Sequence, residues 1–385
     1  MVWLGTLLVS LILFAFAAHP FFTYPLSLFF IGTKNRPVAA SDPTFRPTLA
    51  LCMSVFNESR VIVTKIENML VMAERYGPAT IHVYVDGATD DTPELLRAYA
   101  DRIDLVVSNE RKGKTAGLNV LVPRCESELI AFTDGNVITP ATGLVDLAAH
   151  FLDKSVGCVT AKLVYTNEDE SPTSAAGSLY WRLEEALKRV ESATVGVMGV
   201  DGAFFMVRRA LYQPAPSHLI DDLYVSLMIL AAGHRVVTAE EVIVRERSAV
   251  YWREEYRRKR RIACQAWNVH RTLWPVLRKM PPMMRYAYVS HRLIKWLSPF
   301  LLALSGIAFA AAMVTRFGWG NSLVVLLVLS ALFAIGVLLR LKPVTIALSA
   351  ITSLAGVAAG VLEATFSRHT YTVWAPAASI RQTAD

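Results

Sequence analysis

The chain has 385 residues, 54% of them hydrophobic, and a formal net charge of +7, with a mean hydropathy of +0.38. That is too apolar for an ordinary water-soluble enzyme. The charge is concentrated, with 14 Lys or Arg against three Glu in residues 245–295, and its place beside long apolar runs argues for a membrane surface and against nucleic acid.

Residues 1–33, 296–315, 317–339 and 344–362 contain no Asp, Glu, Lys or Arg. Each is close to or above the roughly 20 residues that cross a bilayer core, so four transmembrane helices are expected. Ala15-Phe16-Ala17-Ala18 resembles a signal-cleavage site, but no basic stretch precedes the apolar run. Lys34 and Arg36 follow it instead, which predicts an uncleaved anchor with its amino terminus outside and residues 34–295 in the cytoplasm, at the plasma (inner) membrane. Arg340 and Lys342 then fall inside and the carboxyl tail outside, with His369–Ala378 suited to an interface through Tyr371 and Trp374. Cys52, Cys125, Cys158 and Cys264 are widely spaced without a Cys-x-x-Cys pair. They carry no metal or disulfide signature and suit a reducing compartment.

The expected partition is an anchor at 1–33, a cytoplasmic domain at 34–245, a basic interfacial segment at 246–295, three spans within 296–363 and a tail at 364–385. Within the soluble part, strands are expected at 48–55, 81–85, 105–107, 129–133 and 157–163, with a glycine-interrupted strand region at 199–208. Helices are expected over about 61–76, 93–102 and 170–195. This alternation predicts an α/β fold, a mainly parallel sheet with helices on both faces.

Polar clusters stand where these strands end, the usual ligand edge of an open α/β sheet. The run Ile130 to Thr133 stops at Asp134-Gly135-Asn136. An acid with a second oxygen two residues on suits a hard cation such as Mg²⁺ or Mn²⁺, although a turn or helix cap uses the same residues. The other clusters are Ser54-Val55-Phe56-Asn57-Glu58, Asp86-Gly87-Ala88-Thr89-Asp90, Gly113-Lys114-Thr115-Ala116-Gly117-Leu118-Asn119, Gly199-Val200-Asp201-Gly202-Ala203, Asp221-Asp222, and Arg257 to Ile262.

Their order resembles the family 2 glycosyltransferases over about residues 48–265. The resemblance implies a GT-A nucleotide-sugar-binding domain and inverting transfer, and with the flanking apolar runs a membrane-bound enzyme. It implies donor binding by Asn57, Glu58, Asp86, Lys114, Asp134, Arg258 and Arg261, and a divalent cation at Asp134 and Asn136. Gly202, Ala203 and Asp221 would line the sugar and acceptor pocket, and Asp222 would be the catalytic base. Four positions depart from the family pattern: Val85 and Asn136 stand where relatives often have Asp, and Arg258 and Ile262 where processive synthases have Gln and Trp.

The expected function is therefore transfer of a sugar from a nucleotide-diphosphate donor, first of all UDP-linked, to a lipid-linked or polysaccharide acceptor. Membrane lipids and polysaccharide-assembly proteins would be its partners, with no nucleic acid. Two other readings remain. A processive synthase would secrete its own polymer, which four spans and Ile262 disfavour. A non-catalytic nucleotide-binding subunit would fit Val85 and Asn136 but leave Asp222 and Arg261 unexplained.

Overall fold

Every apolar strand run anticipated above pairs into one sheet, and a seventh strand joins it. The computed structural model describes residues 1–31, 42, 44–373 and 379. In chain order the elements are α1 (Val2–Ala18), α2 (Thr23–Ile31), β1 (Leu49–Val55), α3 (Ile62–Tyr76), β2 (Ala79–Asp86), α4 (Thr92–Arg97), β3 (Asp104–Ser108), α5 (Lys114–Leu121), β4 (Leu129–Thr133), α6 (Gly143–Ala149), β5 (Val156–Tyr165), α7 (Pro172–Ala193), β6 (Phe204–Arg208), α8 (Asp221–Ala231), β7 (Arg235–Glu246), α9 (Trp252–Leu277), α10 (Pro282–Tyr288), α11 (Ile294–Leu338) and α12 (Lys342–Leu362). The sheet order is β3-β2-β1-β4-β6-β5-β7. Only β6 runs against its neighbours, so the mainly parallel expectation holds.

Strand periodicity divides the core into two layers. Leu49, Leu51 and Met53 of β1 pack with Ile66 and Met69 of α3 and Leu144 and Leu147 of α6. Ala50 and Cys52 face the other way, toward Leu118 of α5, Val225 of α8 and Val269 of α9. Because β1, β2 and β4 are parallel, Asn57, Asp86 and Asp134 all leave the sheet at one edge. Antiparallel β6 begins at that edge, with Thr133 registered against Phe204. This brings Gly202 and Ala203 to the same place.

The apolar helices depart from four separate spans. Two helical stretches are long and apolar enough to cross a membrane, Pro282–Leu338 and Lys342–Ser367, or three if the bent pair α1–α2 counts as one span. The first is 57 residues, about 85 Å at 1.5 Å per residue, far more than a bilayer core. It breaks at Gly318 (φ 79°, ψ 163°), so the two expected spans on either side of Arg316 are segments joined at a glycine. Residues 1–33 do not form a single rod either, because α1 and α2 meet at 67°. Pro20 lacks a backbone donor, so the helical hydrogen-bond ladder of α1 is interrupted just past Ala18. The run is also not wholly lipid-facing: Tyr24 and Leu28 are buried, and the Tyr24 hydroxyl donates to Glu191 of α7 at 2.7 Å.

α1 packs along the first part of α11, where Ser10 Oγ donates to the Ser305 carbonyl at 2.9 Å, a small polar contact typical of paired membrane helices. α12 lies on α9. A Cβ at Gly356 would stand 2.8 Å from the Tyr256 carbonyl, and one at Gly360 would strike the Arg260 carbonyl.

The expectation of an outward carboxyl tail is overturned. Past α12 the chain returns to the catalytic domain, where Gln265 Nε2 donates to the Tyr371 carbonyl at 2.8 Å and Thr370 Oγ1 to the His218 carbonyl at 2.6 Å. The helices between Ile294 and Leu362 therefore begin and end on the same side. Lys34, Arg36 and Trp374, used in the topology argument, lie outside the described residues.

Gly360→Leu should force α9 and α12 apart and destabilise the protein by about 1–3 kcal/mol, the usual scale of overpacking. Thermal unfolding in detergent micelles against the parent chain measures this.

Candidate active site

A cavity of about 1310 Å³ opens at the carboxyl edge of the sheet. Glu58, Asp86, Lys114, Asp134, Asn136, Gly202, Ala203, Asp221, Asp222, Arg258 and Arg261 all line it. Of the residues expected to bind donor, Asn57 alone is absent from the wall. It sits at φ 51°, and its Oδ1 accepts from the Thr89 backbone N–H at 2.8 Å. It braces the loop after β2 and makes no wall of its own.

The nucleotide end is built from β2 and the turn into α5. Asp86 Oδ1 accepts from the Lys112 N–H at 2.7 Å, and Oδ2 from the Gly113 N–H at 2.8 Å. This carboxylate is thus partly committed to shaping the loop. Gly113 has φ +94°, a conformation that favours glycine. Beside it the Arg111 guanidinium lies 3.5 Å from the centre of the Phe56 ring.

In the centre, Lys114 sits among three acids. Its Nζ is 2.6 Å from Asp134 Oδ1 and 3.8 Å from Asp221 Oδ2. Burial works against this ammonium, but Asp134, Asp221 and Asp222 outweigh it and raise its pKa. Gly202 closes the space next to it: a Cβ there would be 2.8 Å from Lys114 Nζ and 3.0 Å from Asp222 Oδ2. The Asp134 N–H and the Thr133 hydroxyl both donate to the Ala203 carbonyl, at 3.3 and 3.1 Å. That ties the end of β4 to the start of β6.

Asp222 is 8% exposed at the start of α8. Its Oδ1 accepts from the Leu223 N–H at 2.5 Å. Burial first, and Asp221 second, push its pKa up to about 7 against the pull of Lys114. A carboxylate with that value is suited to take a proton near neutral pH. Asp221 is raised too, by burial and in spite of Lys114.

On α9, Arg258 Nη2 donates to the Tyr165 hydroxyl at 3.0 Å, and Arg261 Nη1 to Gln265 Oε1 at 3.1 Å. Burial and the neighbouring Arg258 push Arg261 down to about 10. The basic run was expected to lie mostly on the membrane surface, apart from Arg261 and Arg258. Instead Arg257 to Arg261 all border the cavity, Arg260 is forked onto Glu363 at 2.8 and 3.1 Å, and Lys259 reaches Glu255 at 3.5 Å.

Two groups escaped sequence reasoning. Glu246, at the end of β7, accepts from Asn136 Nδ2 at 3.3 Å, and burial pushes it up to about 7. Lys65 reads as the polar face of α3, yet it is fully buried under the Asp134 turn. It donates to Thr133 Oγ1 at 2.8 Å and to the Val137 carbonyl at 2.5 Å, with its pKa pushed down to about 7 by burial.

The donor set fits a hard cation in part. Asp134 offers a carboxylate, and Asn136, with its NH₂ taken by Glu246, offers a carbonyl oxygen. Among the described residues no group of three or more His, Cys, Asp or Glu is placed to hold an ion. Mg²⁺ and Mn²⁺ accept such a partial site when diphosphate and water complete the shell.

The opposite end of the cavity is apolar. Ala17, Ala18 and Phe21, Trp296 and Leu302 of α11, and Leu354 and Val357 of α12 carry the wall in between the apolar helices.

Comparison with known proteins agrees with this architecture. A mannosyltransferase from Pyrobaculum calidifontis, solved with GDP-Man and Mn²⁺, superimposes with a TM-score of 0.70 at 22% identity, covering 94% of this chain and 100% of that one. An N-acetylglucosaminyltransferase of Azorhizobium caulinodans is 25% identical over 206 residues, 49% of this chain and 52% of the relative. A beta-monoglucosyldiacylglycerol synthase of Nostoc sp. is 23% identical over 168 residues, 42% of this chain and 36% of the relative. The chain thus spans about half or less of the length of these two curated relatives. The description Glycosyltransferase like family 2 matches residues 47–265, and with the GT-A sheet and its acidic edge on the same residues, the chain belongs to that family.

Proposed function

We propose that this chain is a membrane-integrated, inverting glycosyltransferase. It takes a sugar from a nucleoside diphosphate donor and places it on a lipid-linked acceptor. One observation carries the reading: Asp222 stands in a single cavity whose one end is lined by Asp86, Gly113 and Lys114 and whose other end runs between apolar membrane helices. A water-soluble donor suits the first end and a lipid chain the second.

In this reading Asp222 accepts the proton of the acceptor hydroxyl as that oxygen attacks the anomeric carbon from the face opposite the diphosphate. Configuration inverts and no covalent enzyme intermediate forms. Lys114 and Arg261 offset charge on the departing diphosphate, a contribution of about 3–4 kcal/mol at a preorganised site. Asp134 and Asn136 would hold a divalent cation, which when bound supplies further charge neutralisation to the diphosphate. Asp86 would reach the nucleoside with the accepting capacity that the Lys112 and Gly113 amides leave. The catalytic domain lies on the cytoplasmic face of the plasma membrane, where nucleotide sugars are made. The names of the relatives support a nucleotide sugar such as GDP-mannose as donor and a glycolipid as acceptor.

Incubating the purified chain with UDP-glucose, UDP-N-acetylglucosamine and GDP-mannose, and measuring nucleoside diphosphate release, tests the reading; no release with any donor would sink it. Product length from labelled donor separates single transfer from polymerisation. Asp222→Asn should lower turnover by about 10²–10⁴-fold while donor binding survives; more than about a tenth of wild-type rate would remove Asp222 as the base. The base works deprotonated and its pKa is raised to about 7, so kcat/KM should fall about tenfold per pH unit below that value and level off above it. Asn136→Asp adds a charged ligand and should lower the Mg²⁺ or Mn²⁺ concentration giving half-maximal rate. An unchanged metal titration would mean Asn136 is not a ligand.

A further inference from the structure

The loop between α7 and β6 forms the wall that faces Asp222, and its backbone is held from outside the catalytic sheet. Gly199 has φ +103°. The Val200 N–H donates to Ser226 Oγ at 3.2 Å, and Asp201 accepts from the buried Lys188 at 2.8 Å. The two carbonyls before these residues turn toward Arg292, which precedes the membrane helix α11. Arg292 Nε donates to the Met198 carbonyl and Nη2 to the Gly199 carbonyl at 2.7 Å. One planar fork thus takes two successive carbonyls, a match that a lysine cannot reproduce.

Arg292 is itself fixed by the contact between the domain and its membrane helices. Glu184 of α7 lies 3.4 Å from Arg292 Nη1, 2.9 Å from His291 Nε2 and 2.5 Å from Lys295 Nζ. Glu191, two turns on, accepts from Tyr24 at 2.7 Å and from the Met198 N–H at 3.1 Å, and pairs with His291 Nδ1 at 2.8 Å. Residues from α2, α7 and the foot of α11 therefore converge on Met198 and Gly199. Three residues later Gly202 fills the narrow space between Lys114 and Asp222. A shift of the Gly199 carbonyl is passed along a short tether to the wall beside the base.

We infer that Arg292 is a positioning residue for transfer: from the foot of the membrane helix it holds the Met198–Gly199 backbone so that Asp201 and Gly202 stand against Asp222. The rate of transfer then depends on how the membrane helix is docked, while donor affinity does not. The inference rests on the glycosyltransferase reading for its kinetic part and stands apart from it for its structural part.

The test uses the full chain in detergent micelles, with Arg292→Lys, Arg292→Gln and the exposed control Arg253→Gln. Hydrogen exchange of the 198–203 segment should quicken in both Arg292 variants, with β1 and α3 unchanged and the control like wild type. UDP and GDP affinities, measured by calorimetry, should stay within about twofold. With whichever of UDP-glucose, UDP-N-acetylglucosamine or GDP-mannose the wild type consumes, and diacylglycerol or polyprenyl phosphate in the micelles, kcat should fall about 100-fold for Arg292→Gln, the scale for a displaced reacting group. It should fall about tenfold for Arg292→Lys, which keeps charge but loses the fork. Unchanged exchange at 198–203 overturns the inference even if no donor is consumed, and wild-type kcat in both variants overturns it too. Loss of nucleotide affinity in proportion to kcat would reassign Arg292 to donor binding. A wild type that consumes no donor counts against the glycosyltransferase reading alone.

Discussion

The polar half of this protein depends on one buried ammonium. Lys114 stands among Asp134, Asp221 and Asp222, which come from the end of β4 and the start of α8 and would otherwise repel one another at close range. Removing one partner from such a cluster leaves an uncompensated charge, which is why the geometry around it is so closely specified. Gly202 has no room for a side chain, and Asp86 holds the very loop from which Lys114 extends. The same ammonium tempers the pKa rise at Asp222, so the acid stays within reach of neutral pH.

The apolar half depends on a second set of buried charges, with opposite consequences. Glu184 and Glu191 do not meet substrate in the proposed reaction; they fasten α7 to the foot of α11 and to α2. Buried ion pairs add little net stability compared with apolar packing, but they impose one arrangement because any other leaves charges unmatched. Such specificity matters for apolar helices in particular, since lipid offers no hydrophobic preference for one helix arrangement over another.

Much of this was legible in the sequence because strand ends are local. Asp86, Asp134 and Asp222 each close an apolar run or open a helix, and parallel strands deliver such ends to one edge. What the sequence hid was long-range. β7 escaped notice because Glu240 and Glu241 interrupt its alternation, and with it went Glu246. Lys65 matched an amphipathic helix so well that nothing marked it as buried under the Asp134 turn. Residues 1–33 read as one span since hydropathy cannot distinguish a side chain facing lipid from Tyr24 facing α7. Apart from Arg258 and Arg261, the basic run at Arg257 to Arg261 reads as a membrane surface because its acidic partners are hidden: Glu363 is distant in sequence, and Glu255 lies one turn earlier on the same helix.

The chain beyond the last apolar helix, α12, is part of the catalytic domain's wall. The Thr372 carbonyl presses on Gly113, the residue whose N–H binds Asp86, and Tyr371 and Val373 border the cavity. The segment after the last apolar helix thus completes the pocket begun by the first strands. The Lys112–Gly113 turn is held from two sides, by the Asp86 carboxylate and by the chain that follows α12, so the position of Lys114 is tied to the far end of the sequence as well as to the sheet.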